Sequence, residues 1–303
     1  MKNTTYEVMR FVSWYLELGA SRIYIVFHDP DDRHIAMLAG HPKIECLPFT
    51  DNLRAAMEVA PDDPKPPQIV AGTYLYPRIT EDWLLRVDCD ELVYCETGRL
   101  SERLAEIPPE IETVVIRPAE QLSNDHGPGW HLFRLPMDEQ TISAVYGDAA
   151  DMMAKRQGLM SHAFGKSAHR TGLGDLLVQE HNGIHPSTNK RTRNRKWAKE
   201  SGVFLLHFNS QDFEAWGSAA LRRSRNSSFG PELSGRILAA AGAEEGDGEL
   251  KALYHRINHF DAQRAESLIN LGAGRRVFMD FDTVISKHFG EDHALSAPAT
   301  RPQ

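Results

Sequence analysis

The chain has 303 residues, with 34 basic against 42 acidic side chains and a net charge of -8. That balance gives no overall electrostatic reason to bind nucleic acid or an anionic membrane, so any anionic ligand has to be held locally. Length allows one large α/β domain or one domain with a smaller appendage.

The three cysteines, Cys46, Cys89 and Cys95, are odd in number and lack the spacing of a zinc site or a disulfide framework, which fits a reducing cytoplasm. No apolar run approaches the ~20 residues that span a bilayer. Met1 to Thr5 leads into a mixed amphipathic segment rather than a signal sequence. The expectation is a cytoplasmic protein, soluble or at most peripheral to the inner face of a membrane.

Met9, Val12, Tyr15 and Leu16 recur at helical spacing and Gly19 follows where a helix would stop. Ile23 to Phe27 is a continuous run of β-branched and aromatic residues, as in a strand buried on both faces, and it ends in His28-Asp29-Pro30-Asp31-Asp32. Ile44 to Phe49 reads as a second strand. Thr50 or Asp51 then caps a helix through Val59, before a proline-rich loop from Pro61 to Pro67.

After a helical or mixed stretch at Gln68 to Tyr76, Trp83 to Val87 forms a third strand that ends in Asp88-Cys89-Asp90-Glu91, and Thr113 to Ile116 a fourth. Strands alternating with helices predict an α/β fold with an open, mostly parallel sheet and helices on both faces. Ligands in such sheets sit at the carboxyl ends of strands. Beyond Gly127 the pattern loosens, with a basic stretch from Lys190 to Lys199, a strand at Val203 to Phe208 and helices at Phe213 to Arg223 and around Leu250 to Ile257. Glu244 to Gly248 and the tail after Glu291 read as mobile.

In an extended strand Asp88 and Asp90 project together while Cys89 turns away. Hard divalent ions use one or two such carboxylates and complete their shell with phosphate oxygens and water, so the pair suits a metal-bound diphosphate. There the ion acts as a Lewis acid on a leaving nucleoside diphosphate. An isolated Asp-x-Asp is more often a solvated turn; the preceding apolar strand and the acidic turn at Asp29 to Asp32 give it context.

Phe11 to Gly19, the strand to Phe27, and Trp83 to Glu91 together resemble the family 2-like glycosyltransferases of GT-A fold, in order and spacing as well as motif. Gly165-Lys166-Ser167, His181-Asn182-Gly183-Ile184-His185 and Leu206-His207-Phe208-Asn209-Ser210 resemble weaker signatures of that family, extending the likeness to Arg223. One departure stands out. Family members begin with a β-strand leading into Lys-Asn-Glu, whereas this sequence reads Met1-Lys2-Asn3-Thr4; the strand that helps form the nucleotide-base pocket is not in it.

The resemblance implies a GT-A-like domain over 1–223 and a C-terminal helical extension with a mobile tail over 224–303. It implies a nucleotide-sugar donor, a glycan or glycolipid acceptor, Mn2+ or Mg2+ as cofactor, and inversion at the anomeric carbon. By the same resemblance Asp88 and Asp90 bind metal and diphosphate, Asp29, Asp31 and Asp32 lie near the nucleotide, and His207 approaches the metal from the far side.

Other signals are weaker. Lys166 is a candidate phosphate contact, but Met160 stands where a P-loop needs its first glycine, which excludes a Walker-type site. His181 and His185 have helical zinc spacing, yet Gly183 and Pro186 disfavour a helix. Lys190 to Lys199 surrounds Trp197 and reads first as a solvated face, while Trp130 and Trp216 are candidates for sugar stacking or for the core. Glu120, Asp125 and Glu180 are candidates for the general base, with Glu120 preferred for its place after a strand. Two alternatives remain beside the transferase: a degenerate, non-catalytic glycan-binding homologue, and a sugar-nucleotide nucleotidyltransferase, which needs a glycine-rich basic loop that this sequence lacks.

Overall fold

The structure is a computed structural model that describes residues 3–58, 67–124, 127–161, 163–179, 181–197, 201–209, 212–226 and 229–291. It is a mixed α/β protein in which helix exceeds strand, 43% against 22%, so neither all-α nor all-β architectures apply. The chain forms two compact units: Met1–Arg117 with Gly165–Phe204 and Phe281–Gln303, and Pro118–Phe164 with Leu205–Asp280.

The first unit opens with helix α1 (Thr5–Glu17), whose capping box joins the Thr4 and Glu7 side chains to each other's backbone amides. Val8, Met9, Val12, Tyr15 and Leu16 form its buried stripe. Leu18 closes the helix and Gly19 follows at φ +90. Strand β1 (Ile23–Phe27) leads to α2 (Arg33–Leu38) and then to β2 (Ile44–Pro48), which pairs with β1 in parallel from Ile23↔Ile44 to Phe27↔Pro48.

Thr50 caps α3 (Asp51–Ala56), and α4 (Pro67–Leu75) follows. Phe49, Met57, Val70 and Ala71 pack together between these elements. Strands β3 (Trp83–Leu85) and β4 (Glu91–Cys95), helix α5 (Leu100–Ala105) and strand β5 (Thr113–Ile116) come next. Strand Lys166–Arg170 lies antiparallel to both β3 and β5, and Asn194–Lys196 runs parallel to β5.

Helix α1 also holds β4 by side chain to backbone bonds. The Trp14 indole donates to the Val93 carbonyl at 2.6 Å, and the Tyr15 hydroxyl donates to the Glu91 carbonyl at 3.0 Å and accepts from the Val93 amide at 3.2 Å. On its other side α1 meets helix Phe281–Phe289, with Trp14 edge-on to Phe281 at 5.7 Å and Lys287 paired with Glu17 at 2.7 Å.

In the second unit Pro118–Asn124 is antiparallel to Trp130–Arg134, which is antiparallel to Gly274–Phe278, while Leu205 to His207 runs parallel to Pro118 to Glu120. Helices Phe213–Arg225, Pro231–Gly242 and Gly246–Asn258 cover a core that includes Trp216, Ile237, Tyr254 and Phe260.

Several expectations need correction. The sheets are mixed rather than mostly parallel: β1 with β2 and Asn194–Lys196 with β5 are parallel, while Lys166–Arg170 is antiparallel to β3 and β5 and Trp130–Arg134 is antiparallel to both of its partners. The third strand stops at Leu85, two residues before the expected end at Val87. Gly246 to Gly248 open a helix instead of a mobile loop, carrying Asp247 and Glu249 in the first turn, where acidic charge favours the helix dipole. Trp197 is 5% exposed and Trp216 3%, so both are core residues, whereas Trp130 is 45% exposed. The loop from 61 to 66, the tail after Glu291, Asp125 and Glu180 lie outside the described residues. Among the described residues no helix is long and apolar enough to cross a membrane.

Candidate functional site

The Asp-x-Asp pair sits in the connection between β3 and β4. Residues 89 and 90 form a turn closed by the Glu91 amide on the Asp88 carbonyl at 3.0 Å, so the extended geometry expected from the sequence is replaced by a tight bend. The Asp88 amide donates in turn to Glu91 Oε2 at 2.9 Å. Asp88 and Asp90 nonetheless line one cavity of about 790 Å3 within the first unit. Cys89 is buried with its thiol directed at the Glu7 carbonyl, 3.8 Å away, and burial pushes that thiol up to about 12, which leaves it protonated and inert.

Each acid has a cation nearby. Lys166, on the strand beside β3, places Nζ 2.7 Å from Asp88 Oδ2 and 3.4 Å from Glu91 Oε2 while its side chain is 1% exposed. Burial alone would lower the Lys166 ammonium, but Glu91 and then Asp88 hold its pKa above the ordinary value. Arg10, on the buried stripe of α1, lies 5.4 Å over the Phe281 ring and contributes charge next to Asp90. Burial lowers its pKa, opposed by the nearby carboxylates of Glu7 and Asp90.

Arg86 is the residue that sequence reasoning missed. It follows β3 directly and lines the same cavity as Asp88 and Asp90. Its Nε and Nη2 are shut off from solvent with no hydrogen-bond partner among the described residues. Two idle buried donors are costly, and the half-buried arginine brings positive charge to the cavity that Asp88 and Asp90 line. The available sequence signal was an arginine two residues before an Asp-x-Asp at a strand end.

The backbone around Lys166 is tightly specified. Gly165 has φ +79, and a Cβ there would collide with the Ile116 carbonyl oxygen. The Gly165 carbonyl bonds His181 Nδ1 at 2.6 Å, and the Ser167 hydroxyl donates to the His181 carbonyl at 2.6 Å. The segments Gly165 to Ser167 and His181 to His185 are therefore brought together. His185 lies on a short strand and pairs with Glu112 at 3.3 Å, which leaves the helical zinc spacing without a helix.

The other candidates are placed elsewhere. Asp29 and Asp31 are exposed at the end of β1, where the Asp31 amide bonds Asp29 Oδ1 at 3.0 Å. Asp32 caps α2 and pairs with His34 at 2.6 Å. None of the three lines the cavity; His28 does.

Glu120 and His207 belong to the second unit, paired in register on adjacent strands. Glu120 is fully buried and bonded to Arg134 at 2.9 Å and to the amides of Met160 and Ser161. Burial would raise its pKa, but Arg134, then His207 and the two amides hold it at about 2. A carboxylate so saturated has no free lone pair turned to solvent and is a weak base, so its geometry is that of a structural ion pair.

Two carboxylates leave most of a divalent ion's shell to ligand oxygens and water, and among the described residues no group of three or more His, Cys, Asp or Glu is arranged to hold a metal ion. The donor set is hard and oxygen-based, as magnesium and manganese prefer. No protein-family model matches the chain, and no curated protein matches it either.

Proposed function

We propose that the first unit binds a nucleoside diphosphate sugar at the Asp88 and Asp90 end of the cavity and that the protein is a GT-A-like, metal-dependent glycosyltransferase. The observation that carries the reading is that Asp88, Asp90 and the positively charged Arg86 line one cavity. Phosphate oxygens suit both kinds of residue, being drawn by the charge of Arg86 and sharing a divalent cation with the aspartates. Magnesium or manganese would neutralise charge on the departing diphosphate.

In this reading Lys166 and Glu91 position Asp88 from beneath, and Lys166 itself faces the carboxylates rather than solvent. Arg10 balances Asp90. Glu120 serves the second unit as a structural ion pair rather than as the base that takes the acceptor's proton. The acceptor class remains a hydroxyl of a glycan or glycolipid, as the family resemblance implies.

The test is calorimetric titration with UDP-, GDP- and dTDP-sugars, with and without manganese, beside Asp88→Asn and Asp90→Asn. Metal-dependent binding of one donor, lost in both variants, supports the reading. Failure of every donor to bind the folded wild-type chain overturns it and favours a glycan-binding role without turnover.

A further inference from the structure

In the second unit Lys155, Arg156 and Arg223 gather at one helix N-terminus. Helix Phe213–Arg225 carries Arg222, Arg223 and Arg225 in its last turn, where positive charge suits the dipole. The Arg223 guanidinium lies 4.8 Å over the Phe229 ring, and that of Arg156 lies 5.7 Å over the same ring. Burial, then the charge of Arg223, lowers the pKa of Arg156, opposed by Glu120.

Phe229 leads into helix Pro231–Gly242, whose N-cap is Gly230 at φ +93, with no side chain to accept from the first-turn amides. The Ser234 amide bonds the Gly230 carbonyl at 3.0 Å. Pro231 has no amide hydrogen, and the amides of Glu232 and Leu233 come ahead of that bond. Lys155 lies across this end of the helix: a Cβ added at Gly230 would stand 2.7 Å from its Cδ and 3.2 Å from its Nζ. An ammonium over the positive end of a helix, beside two arginines, is the reverse of what the dipole favours, and the acid of the first turn, Glu232, is exposed. An anion shared by these groups removes the repulsion.

Beside the same residues lies a pocket of about 20 Å3, lined by Met160, Asn209, Trp216, Arg223 and Phe229 among others. Trp216 is 3% exposed, and its indole N–H has no acceptor among the described residues. An indole nitrogen only donates, so a buried one calls for an acceptor. The pocket has room for one oxygen-sized atom. Guanidinium, ammonium, indole and helix amides are all donors, a set that suits an oxyanion rather than a cation.

We propose that this corner of the second unit is a phosphate-binding site. One phosphate oxygen enters the pocket and accepts from Trp216, and the others are held by Arg156, Arg223, Lys155 and the amino end of helix Pro231–Gly242. The ligand is inorganic phosphate or the phosphate group of a monoester. The site lies wholly in the second unit and does not depend on donor binding in the first.

Calorimetric titration of the folded chain with inorganic phosphate and with glucose 6-phosphate, in low salt without divalent metal, tests it. Wild type is expected to bind at least one of them with a Kd of about 1 mM or tighter. Tighter binding of the ester identifies a phosphorylated ligand, and tighter binding of the free ion identifies inorganic phosphate. Arg223→Gln should weaken binding about tenfold, and Lys155→Gln, at an exposed position that the fold does not need, about threefold. Trp216→Phe, which keeps an aromatic ring without the donor, should weaken it about fivefold. Arg86→Met, in the first unit, should leave it unchanged. Failure of wild type to bind either compound at about 10 mM overturns the proposal. Binding undiminished in all three second-unit variants, or lost in Arg86→Met instead, also overturns it.

Discussion

Lys166 Nζ lies 2.7 Å from Asp88 Oδ2, with 1% of the lysine side chain exposed and 39% of the aspartate. The cation is inside and its carboxylate partner stands at the rim, so Asp88 is aimed from below while keeping a face for a ligand. Lys166→Met would leave Glu91, 4% exposed, without its buried counter-charge. The expected cost is about 3–5 kcal/mol in urea denaturation. Stability equal to wild type would remove the positioning role.

Arg86→Met should move stability and binding in opposite directions. Removing idle buried donors relieves about 1–3 kcal/mol of desolvation cost, while loss of a charge-assisted contact weakens diphosphate binding by about tenfold or more. Denaturation curves and calorimetry with UDP and manganese read the two effects separately. A variant that is destabilised yet binds as well as wild type contradicts the assignment.

The Glu120 and Arg134 pair sets an acid limit for the second unit. Its folded pKa of about 2 is depressed below the ordinary carboxylate value, so the stabilisation is fully present above about pH 4.5 and lost as pH falls toward 2. Unfolding free energy measured from pH 6 to 2 should fall across that window in wild type. The slope should be shallower in Glu120→Gln, although that variant is less stable at neutral pH. Equal slopes would exclude Glu120 as the titrating group.

Gly165→Ala should be poorly tolerated, because it combines φ +79 with a backbone collision at Ile116. The expected loss is at least about 2 kcal/mol by thermal denaturation. Gly172→Ala, also at positive φ but with open space around it, serves as the control that isolates the collision.

The sequence revealed those elements whose own residues determine them. Ile23–Phe27 and Thr113–Ile116 fall at the expected bounds because continuous β-branched runs specify buried strands, and Thr50 caps α3 as its position suggested. Sheet order was not legible, since pairing of Lys166–Arg170 with both β3 and β5 depends on contacts across long separations. Asp88 and Asp90 were singled out by spacing, but the turn at 89–90 was not legible, because it is closed by the Glu91 amide on the Asp88 carbonyl and by the Asp88 amide on the Glu91 side chain. Glu120 was misjudged for a related reason: a strand position says nothing of Arg134, fourteen residues on, which consumes the carboxylate.

The support of α1 by helix Phe281–Phe289 has a consequence for biosynthesis. The two helices belong to one unit, yet 263 residues, those numbered 18–280, separate them along the chain. At ~5–20 residues per second a ribosome takes on the order of tens of seconds to make that interval. Throughout it Trp14 and the Arg10 guanidinium lack the Phe281 ring that packs against them in the finished protein. The unit carrying the aspartates lacks this packing partner while helix Phe281–Phe289 is still being translated, so nascent chains stalled before Phe281 should engage chaperones through α1.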